Sequence, residues 1–236
     1  MENSHGAMVQ VRTYILILQR SLKLAAISTV VCLVIGYPLA MRITRATKKT
    51  QVILMTFLMV PMWTNFLIRT YAWMTILQDA GVINHLIGVI GLRPFHIIGT
   101  ETAVIIGMVY DYLPYMVLPI YSVMAKTDEL LIEAAEDLGC NSLSVFKRVT
   151  LPLSMPGVMS GITMVLIPSV STFYISQKLG NGMFYLIGDA IEGQYVANNL
   201  HFAAAMALIL MVILMLIMGI LKALTTKFLY GGGGVK

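Results

Sequence analysis

Five long apolar runs restrict what this chain can fold into more than any other feature. They lie at 22–41, 52–77, 102–124, 156–175 and 202–224. Each reaches the roughly 20 residues that a helix needs to cross a bilayer. Only 11% of the residues are charged, whereas about a quarter are charged in a soluble domain. Because a spanning backbone must satisfy its own hydrogen bonds, the runs predict an all-α membrane protein with five spans.

The runs divide the chain into three parts. Segment 1–21 contains an apolar patch that is too short to span, 22–224 forms the membrane domain, and 225–236 is a flexible, glycine-rich tail. Pro61 interrupts the second run, and a short interfacial helix is expected at 83–90.

The basic residues beside the runs predict an orientation. If the 42–51 loop, the polar region at 126–155 and the C-terminal end share one side, ten lysines and arginines lie there, and the opposite loops hold only Arg93 and Lys178. The positive-inside rule makes the basic side cytoplasmic. This arrangement puts the N-terminus outside with three basic residues, which violates the rule mildly.

A patterned polar stretch, 133–152, separates the third run from the fourth. Its fixed points, at spacings of three and then nine residues, are Glu133, Ala134, Ala135, Gly139, Val149, Leu151 and Pro152. Such a stretch can be an ordinary amphipathic helix on the surface, but that interpretation gives no reason for the glycine and the Leu-Pro pair to fall in register.

Local chemistry predicts a helix–turn–helix in this stretch. Thr127 is expected to cap the first helix, with acids at 128–129 near the positive end of its dipole. Gly139 is the natural left-handed stop, Ser142 is expected to cap a second helix, and Pro152 is expected to close it. The apolar face of the first helix, at i, i+3 and i+4 spacing, consists of Leu130, Leu131, Ala134, Ala135 and Leu138.

The spacing of 133–152 resembles the EAA loop of ABC importer permeases. The segments VPMWTN at 60–65, IRTY at 68–71, AVIIGMVY at 103–110 and LPLSMPG at 151–157 are similar to polyamine permeases. The resemblance runs from 22 to 224 and is nearest to the B-type permease subunit of spermidine/putrescine importers, while ferric-iron and other type I importers share much of the pattern. It implies a type I ABC importer transmembrane domain in the bacterial cytoplasmic membrane, moving polyamines by alternating access.

The resemblance also implies partners. The EAA loop, about 126–155, would dock on a separate ATPase present in two copies, a second permease would complete the path, and an extracytoplasmic binding protein would deliver substrate to loops 78–101 and 176–201. The sequence has no G-x-x-x-x-G-K-[ST] motif. We therefore expect no enzymatic activity, cofactor or metal site in this chain, with ATP and Mg²⁺ bound by the ATPase.

The number of spans departs from this family, whose permeases usually have six and a cytoplasmic N-terminus. One interpretation is that a first helix is missing through truncation or choice of start site. The other is that 8–20 form an interfacial helix on the outer face.

Asp111 is the sharpest single candidate on a substrate path. It is the only acid inside a span and is flanked by Tyr110 and Tyr112. A carboxylate at mid-membrane costs about 2.5–3.5 kcal/mol on insertion scales, so it should face a cavity or a partner. It contacts a substrate ammonium, with the tyrosine rings adding cation–π contacts, or it forms a structural pair with Arg69 or with the second permease. Both interpretations stay open.

Weaker candidates and other functions complete the analysis. The further pathway candidates, which can equally be interfacial or packing residues, are Trp63, Asn65, Tyr71 and Tyr174. A proton-coupled carrier using Asp111 would take up substrate without ATP and would not need the EAA pattern. A noncatalytic membrane-assembly protein would have no ATPase partner.

Overall fold

A computed structural model describes residues 2–89, 91, 93–94, 96–128 and 130–230, and its regular elements are helices. They are α1 Glu2–Thr44, α2 Lys48–Trp63, α3 Phe66–Leu77, α4 Val82–Val89, α5 Glu101–Met124, α6 Leu130–Asp137, α7 Ser142–Val145, α8 Leu151–Ser171, α9 Tyr174–Leu179, α10 Ile187–Val196 and α11 Leu200–Tyr230, with a π-helical turn, Phe146–Thr150, joining α7 to α8.

The described helices agree with the expected number of spans. Four stretches are long and apolar enough to cross a membrane: Arg12–Thr44, Glu101–Met124, Ser142–Ser171 and Leu200–Ala223. A fifth is the pair Lys48–Trp63 and Phe66–Val89, bent by 95° at its break. The all-α fold class is therefore confirmed, with five spans if the bent pair is counted as one.

Several predicted boundaries are wrong. The first helix does not start at 22 but already at Glu2, so residues 2–21 continue directly into the first span. The fourth span begins at Ser142 and ends at Ser171, and Tyr174–Leu179 is a separate helix. The last helix continues to Tyr230, and 231–236 of the predicted tail lie outside the described residues, as does Ile90 of the predicted interfacial helix.

The break in the second run comes after Pro61 rather than at it. α2 passes through Pro61 and ends at Trp63. Asn65 then caps α3, its Oδ1 accepting the N–H of Leu67 at 2.8 Å. The side-chain cap satisfies an otherwise orphaned backbone donor and so fixes where the new helix begins.

The described residues form two compact units. One is built from residues up to Val31, Val60–Tyr112 and Leu166–Ile209, and the other from Cys32–Met59, Leu113–Val165 and the chain from Leu210 onward. In the first unit, α5 packs so closely on α9 that a Cβ at Gly107 would meet Leu179 and Ile175. In the second unit, a Cβ at Gly157 would lie 2.8 Å from the carbonyl oxygen of Pro119. Small residues commonly permit such close helix approach in membranes.

Candidate functional site

Residues 126–155 are called the coupling loop here, after the role that the EAA resemblance implies. Its first helix, α6, has its cap one residue later than the sequence predicted. Asp128, not Thr127, caps α6, since its Oδ1 accepts the N–H of Leu130 at 3.1 Å. The Thr127 hydroxyl instead donates to the carbonyl of Val123, 3.3 Å away, and so belongs to the end of α5. Glu129, the other acid of the predicted first turn, lies outside the described residues.

Gly139 ends α6 as predicted. Its φ is +82°, the left-handed region that side chains with a Cβ rarely adopt. The N–H of Gly139 donates to the carbonyl of Glu136 at 2.8 Å, and that of Cys140 donates to Ala135 at 3.1 Å. These two bonds are the Schellman pattern that satisfies the last carbonyls of a helix. No atom lies within 4 Å of a Cβ placed there, so backbone conformation alone requires the glycine.

The second half of the loop differs from the prediction. Asn141, not Ser142, caps α7, with its Oδ1 accepting the N–H of Ser144 at 2.9 Å. Pro152 does not close the helix but is the second residue of α8, directly after the π-helical turn. The turn before it widens, and the N–H of Leu151 reaches back five residues to the carbonyl of Phe146. Helix therefore runs from Ser142 into the span.

The apolar face of the coupling loop is turned away from its own chain. No residue of α6 is buried. Four leucines of the loop, between 50% and 86% exposed, are Leu130, Leu131, Leu138 and Leu143. Glu133 and Ala134 are also exposed and Ala135 is half-buried. These leucines leave apolar surface in a polar loop that the described chain does not cover.

Asp111 is buried and paired. Its side chain is 2% exposed, and Oδ1 lies 2.6 Å from Nε of Arg69, whose own side chain is 13% exposed. The geometry is that of an ion pair rather than of an aligned hydrogen bond, since neither of these two atoms has a hydrogen-bond partner among the described residues. Arg69 also donates from NH1 to the carbonyl of Pro61 at 2.7 Å. The arrangement is the structural pair of the sequence analysis, and a substrate role for Asp111 stays a prediction that requires the pair to open.

The two tyrosines beside Asp111 face other partners. The Tyr110 ring packs edge-on against Trp73, with centroids 5.0 Å apart. The Tyr112 side chain is buried, and its hydroxyl donates to the carbonyl of Pro168 at 3.5 Å. Neither contact brings a ring to the carboxylate.

The remaining candidates separate into different environments. Trp63 is 76% exposed, and Asn65 is the cap of α3. Tyr71 and Tyr174 both face Lys178, whose Nζ lies 5.2 Å and 5.5 Å from their ring centroids. Sequence analysis counted Lys178 only as an outer basic residue, although its i,i+4 spacing from Tyr174 indicated the contact.

A second buried carboxylate, Asp189, escaped the sequence analysis. It lies in the first turn of α10, outside the candidate spans. Its Oδ1 accepts from the Ser176 hydroxyl at 2.9 Å and its Oδ2 from the N–H of Leu186 at 2.7 Å. Burial raises the pKa of Asp189 to about 6, and these hydrogen bonds oppose the rise. The next N–H, that of Ile187, donates to Ser21 of α1 at 2.7 Å, so one polar cluster joins α1, α9 and α10.

Comparison with known proteins identifies the family. Residues 19–230 match the family described as the inner membrane component of binding-protein-dependent transport systems. The chain belongs to this family. It is 39% identical over 207 residues to the spermidine/putrescine transport system permease protein PotB of Haemophilus influenzae, covering 86% of this chain and 72% of that protein. It is also 39% identical to PotB of Escherichia coli, over 85% of this chain and 74% of the relative, and 28% identical to the inner membrane ABC transporter permease YdcU of that organism, over 88% and 71%.

Solved structures show the same fold. A bacterial alginate ABC transporter bound to its periplasmic protein superposes with a TM-score of 0.74 at 15% identity, covering 92% of this chain and 80% of the other. A second structure of an alginate importer gives 0.70 at 17% identity, covering 91% and 79%. This member of the binding-protein-dependent family is thus a multi-pass permease subunit of an ABC importer in the bacterial inner membrane. That assignment, and not the proton-coupled carrier, fits the comparisons.

Proposed function

We propose that this permease forms half of the path of an importer for linear polyamines such as putrescine and spermidine. The observation that carries the proposal is the 39% identity to spermidine/putrescine permeases over 86% of the chain. The segments at 60–71 and 103–110 that resemble polyamine permeases lie inside that similarity, in α2, α3 and α5.

In this proposal the coupling loop is the surface through which ATP hydrolysis on a separate subunit drives the movement of the spans. A separate ATPase, present in two copies, binds ATP and Mg²⁺ and covers the exposed leucines of α6 and its neighbours, while this chain carries no cofactor of its own. Burying these side chains at an interface is favourable by roughly 25 cal/mol per Å² of apolar surface. Because Ser142–Ser171 is helical throughout, a displacement of α7 reaches the span without leaving helical backbone.

Two further partners complete the proposed importer. A second permease supplies the other half of the path, and an extracytoplasmic binding protein delivers the polyamine to loops 78–101 and 176–201. Closure of the ATPases moves the coupling loops and opens the spans outward, and release of ADP and phosphate returns them to the inward-open state.

Uptake in cells tests the proposal. The chain, expressed with its partner subunits in bacteria that neither make nor import polyamines, should restore uptake of radiolabelled putrescine or spermidine. Uptake should require ATP and continue when an uncoupler collapses the proton gradient but ATP is maintained. A tenfold excess of unlabelled polyamine should compete, and ferric citrate should not. Failure of both labelled polyamines to accumulate, with the complex assembled in the membrane, would exclude the substrate assignment.

A further inference from the structure

Lys178 is held by an aromatic cage on two helices. Its Nζ lies 5.2 Å from the ring centroid of Tyr71 on α3 and 5.5 Å from that of Tyr174 on α9. Both distances are within the roughly 6 Å over which a ring attracts a cation. The Phe66 ring packs against that of Tyr174, with the two centroids 6.0 Å apart.

The ammonium in this cage has no carboxylate partner within 4.0 Å among the residues that the structure describes. Acids on α5 and α10 are otherwise engaged. Asp111 pairs with Arg69, Asp189 accepts from Ser176 and Leu186, and Glu192 accepts from Gln177 at 3.1 Å. Aromatic faces and solvent alone therefore hold the Lys178 ammonium, so it can leave the cage without breaking an ion pair.

The occupant of the cage has the chemistry of the proposed substrate. A lysine side chain is four methylene groups ending in an ammonium, which is the aminobutyl arm of putrescine and spermidine. Tyr71 is 49% exposed, so the described chain leaves part of the cage uncovered. We propose that Tyr71 and Tyr174 form a binding site for the aminobutyl ammonium of the substrate and that Lys178 is its tethered occupant, which the substrate displaces.

This inference rests on the proposed function and explains how such a site would stay weak. A tethered group competes at an effective concentration in the millimolar range, so only substrate delivered at high local concentration displaces it. Two ammonium groups cannot share the cage, because like charges at that distance repel. The exchange of one ammonium for another changes the charge of the cage very little, which suits a site that must release its ligand.

Direct binding tests the inference. The purified complex of this permease with its second permease and ATPases, in nanodiscs without the binding protein, is titrated with radiolabelled putrescine. Lys178→Met keeps the length of the side chain and removes the charge, so it should tighten putrescine binding about fivefold or more, the lower end of what two exposed cation–π contacts give. Tyr71→Leu and Tyr174→Leu should each weaken binding in the Lys178→Met background, whereas phenylalanine at either position should retain it.

Matched variants separate the site from other effects. Lys178→Arg keeps a cation in the cage and should not tighten binding. Lys49→Met removes an exposed charge on α2, a helix that carries neither ring of the cage, and should leave binding unchanged. Unchanged or weaker putrescine binding by Lys178→Met, in a complex that assembles normally, would overturn the inference, as would equal tightening by Lys49→Met. A purely structural role would appear as loss of assembled complex in Lys178→Met with no change in affinity. If the unaltered importer takes up polyamine but these variants bind it equally, the cage is refuted and the proposed function stands.

Discussion

Removing either member of the Arg69–Asp111 pair should destabilise the permease far more than removing both. The side chains are 13% and 2% exposed, so a single substitution leaves the other group charged in a poorly solvated site. Breaking a buried pair from one side costs about 3–5 kcal/mol. We expect Asp111→Asn and Arg69→Met each to lose stability of that order.

The double variant, Arg69→Met with Asp111→Asn, should recover most of this loss. It contains no unpaired charge, and its main remaining defect is the buried amide that replaces the Asp111 carboxylate and has lost its Arg69 partner. The Pro61 carbonyl also loses the Arg69 donor but still accepts from the N–H and the hydroxyl of Thr64. A buried polar group without a partner costs about 1–3 kcal/mol. The double variant should therefore lie about 1–3 kcal/mol below the unaltered protein rather than at the sum of the single losses, which would approach about 6–10 kcal/mol.

Thermal unfolding of the complex in nanodiscs, together with the yield of assembled complex, measures the effect. Glu101→Gln is the matched control. Its carboxylate pairs with Lys23 at 3.0 Å and Arg20 at 3.4 Å on a surface where these side chains are 36–61% exposed, and such pairs contribute about 1 kcal/mol or less. Additive losses in the double variant would refute the reasoning. If Asp111→Asn assembles like the unaltered protein and yet loses polyamine uptake per complex, the carboxylate contacts substrate instead.

Three other positions give sharp expectations. Gly139→Val places a β-branched residue at φ +82° and should abolish co-purification of the ATPase with the permease while the spans still insert. Asparagine tolerates that backbone region, so Gly139→Asn should retain most of the co-purification. Equal behaviour of the two variants would contradict the argument. Burial raises the pKa of Asp189 from 3.8 to about 6, so the stability that its protonated form contributes is complete below pH 3.8 and is lost as the pH rises through about 6. Hydrogen exchange at α10, corrected for its intrinsic rate, should therefore be slower at pH 5 than at pH 7. Asp189→Asn should remove this difference. Gly107→Val drives a side chain into Leu179 and should cost about 1–3 kcal/mol by overpacking, while Gly193→Ala, which has no atom within 4 Å of its Cβ position, should change the thermal midpoint little.

The parts of the fold that depend on local chemistry were predictable from the sequence. Run length predicted the spans, five if the bent pair counts as one. Gly139 predicted the end of α6, because a left-handed residue is a property of a few neighbouring atoms. Pro152 misled the prediction for the same reason. Proline removes one backbone hydrogen bond from a helix and crowds the turn before it, but here it directly follows the wide turn at Phe146–Thr150 and the helix continues past it.

The residues of the candidate sites depend on contacts that no local pattern shows. Arg69 and Asp111 are far apart along the chain, and sequence alone left the pair and the substrate path equally open. Lys178 was read as a topology residue, since its contact with Tyr71 exists only once α3 lies against α9. Asp189 gave no pattern at all, because its partners are a backbone N–H and a serine hydroxyl.

The π-helical turn gives the coupling loop a defined angular step. Such a turn holds one residue more than a regular α-turn. If Phe146–Thr150 relaxed to α-geometry, the helix before it would rotate by about 100° and advance by about 1.5 Å, and the exposed leucines of the loop would point in a new direction. Only the register of a few backbone hydrogen bonds would change. The join between the loop and its span therefore allows one fixed rotation of the loop while the chain stays helical.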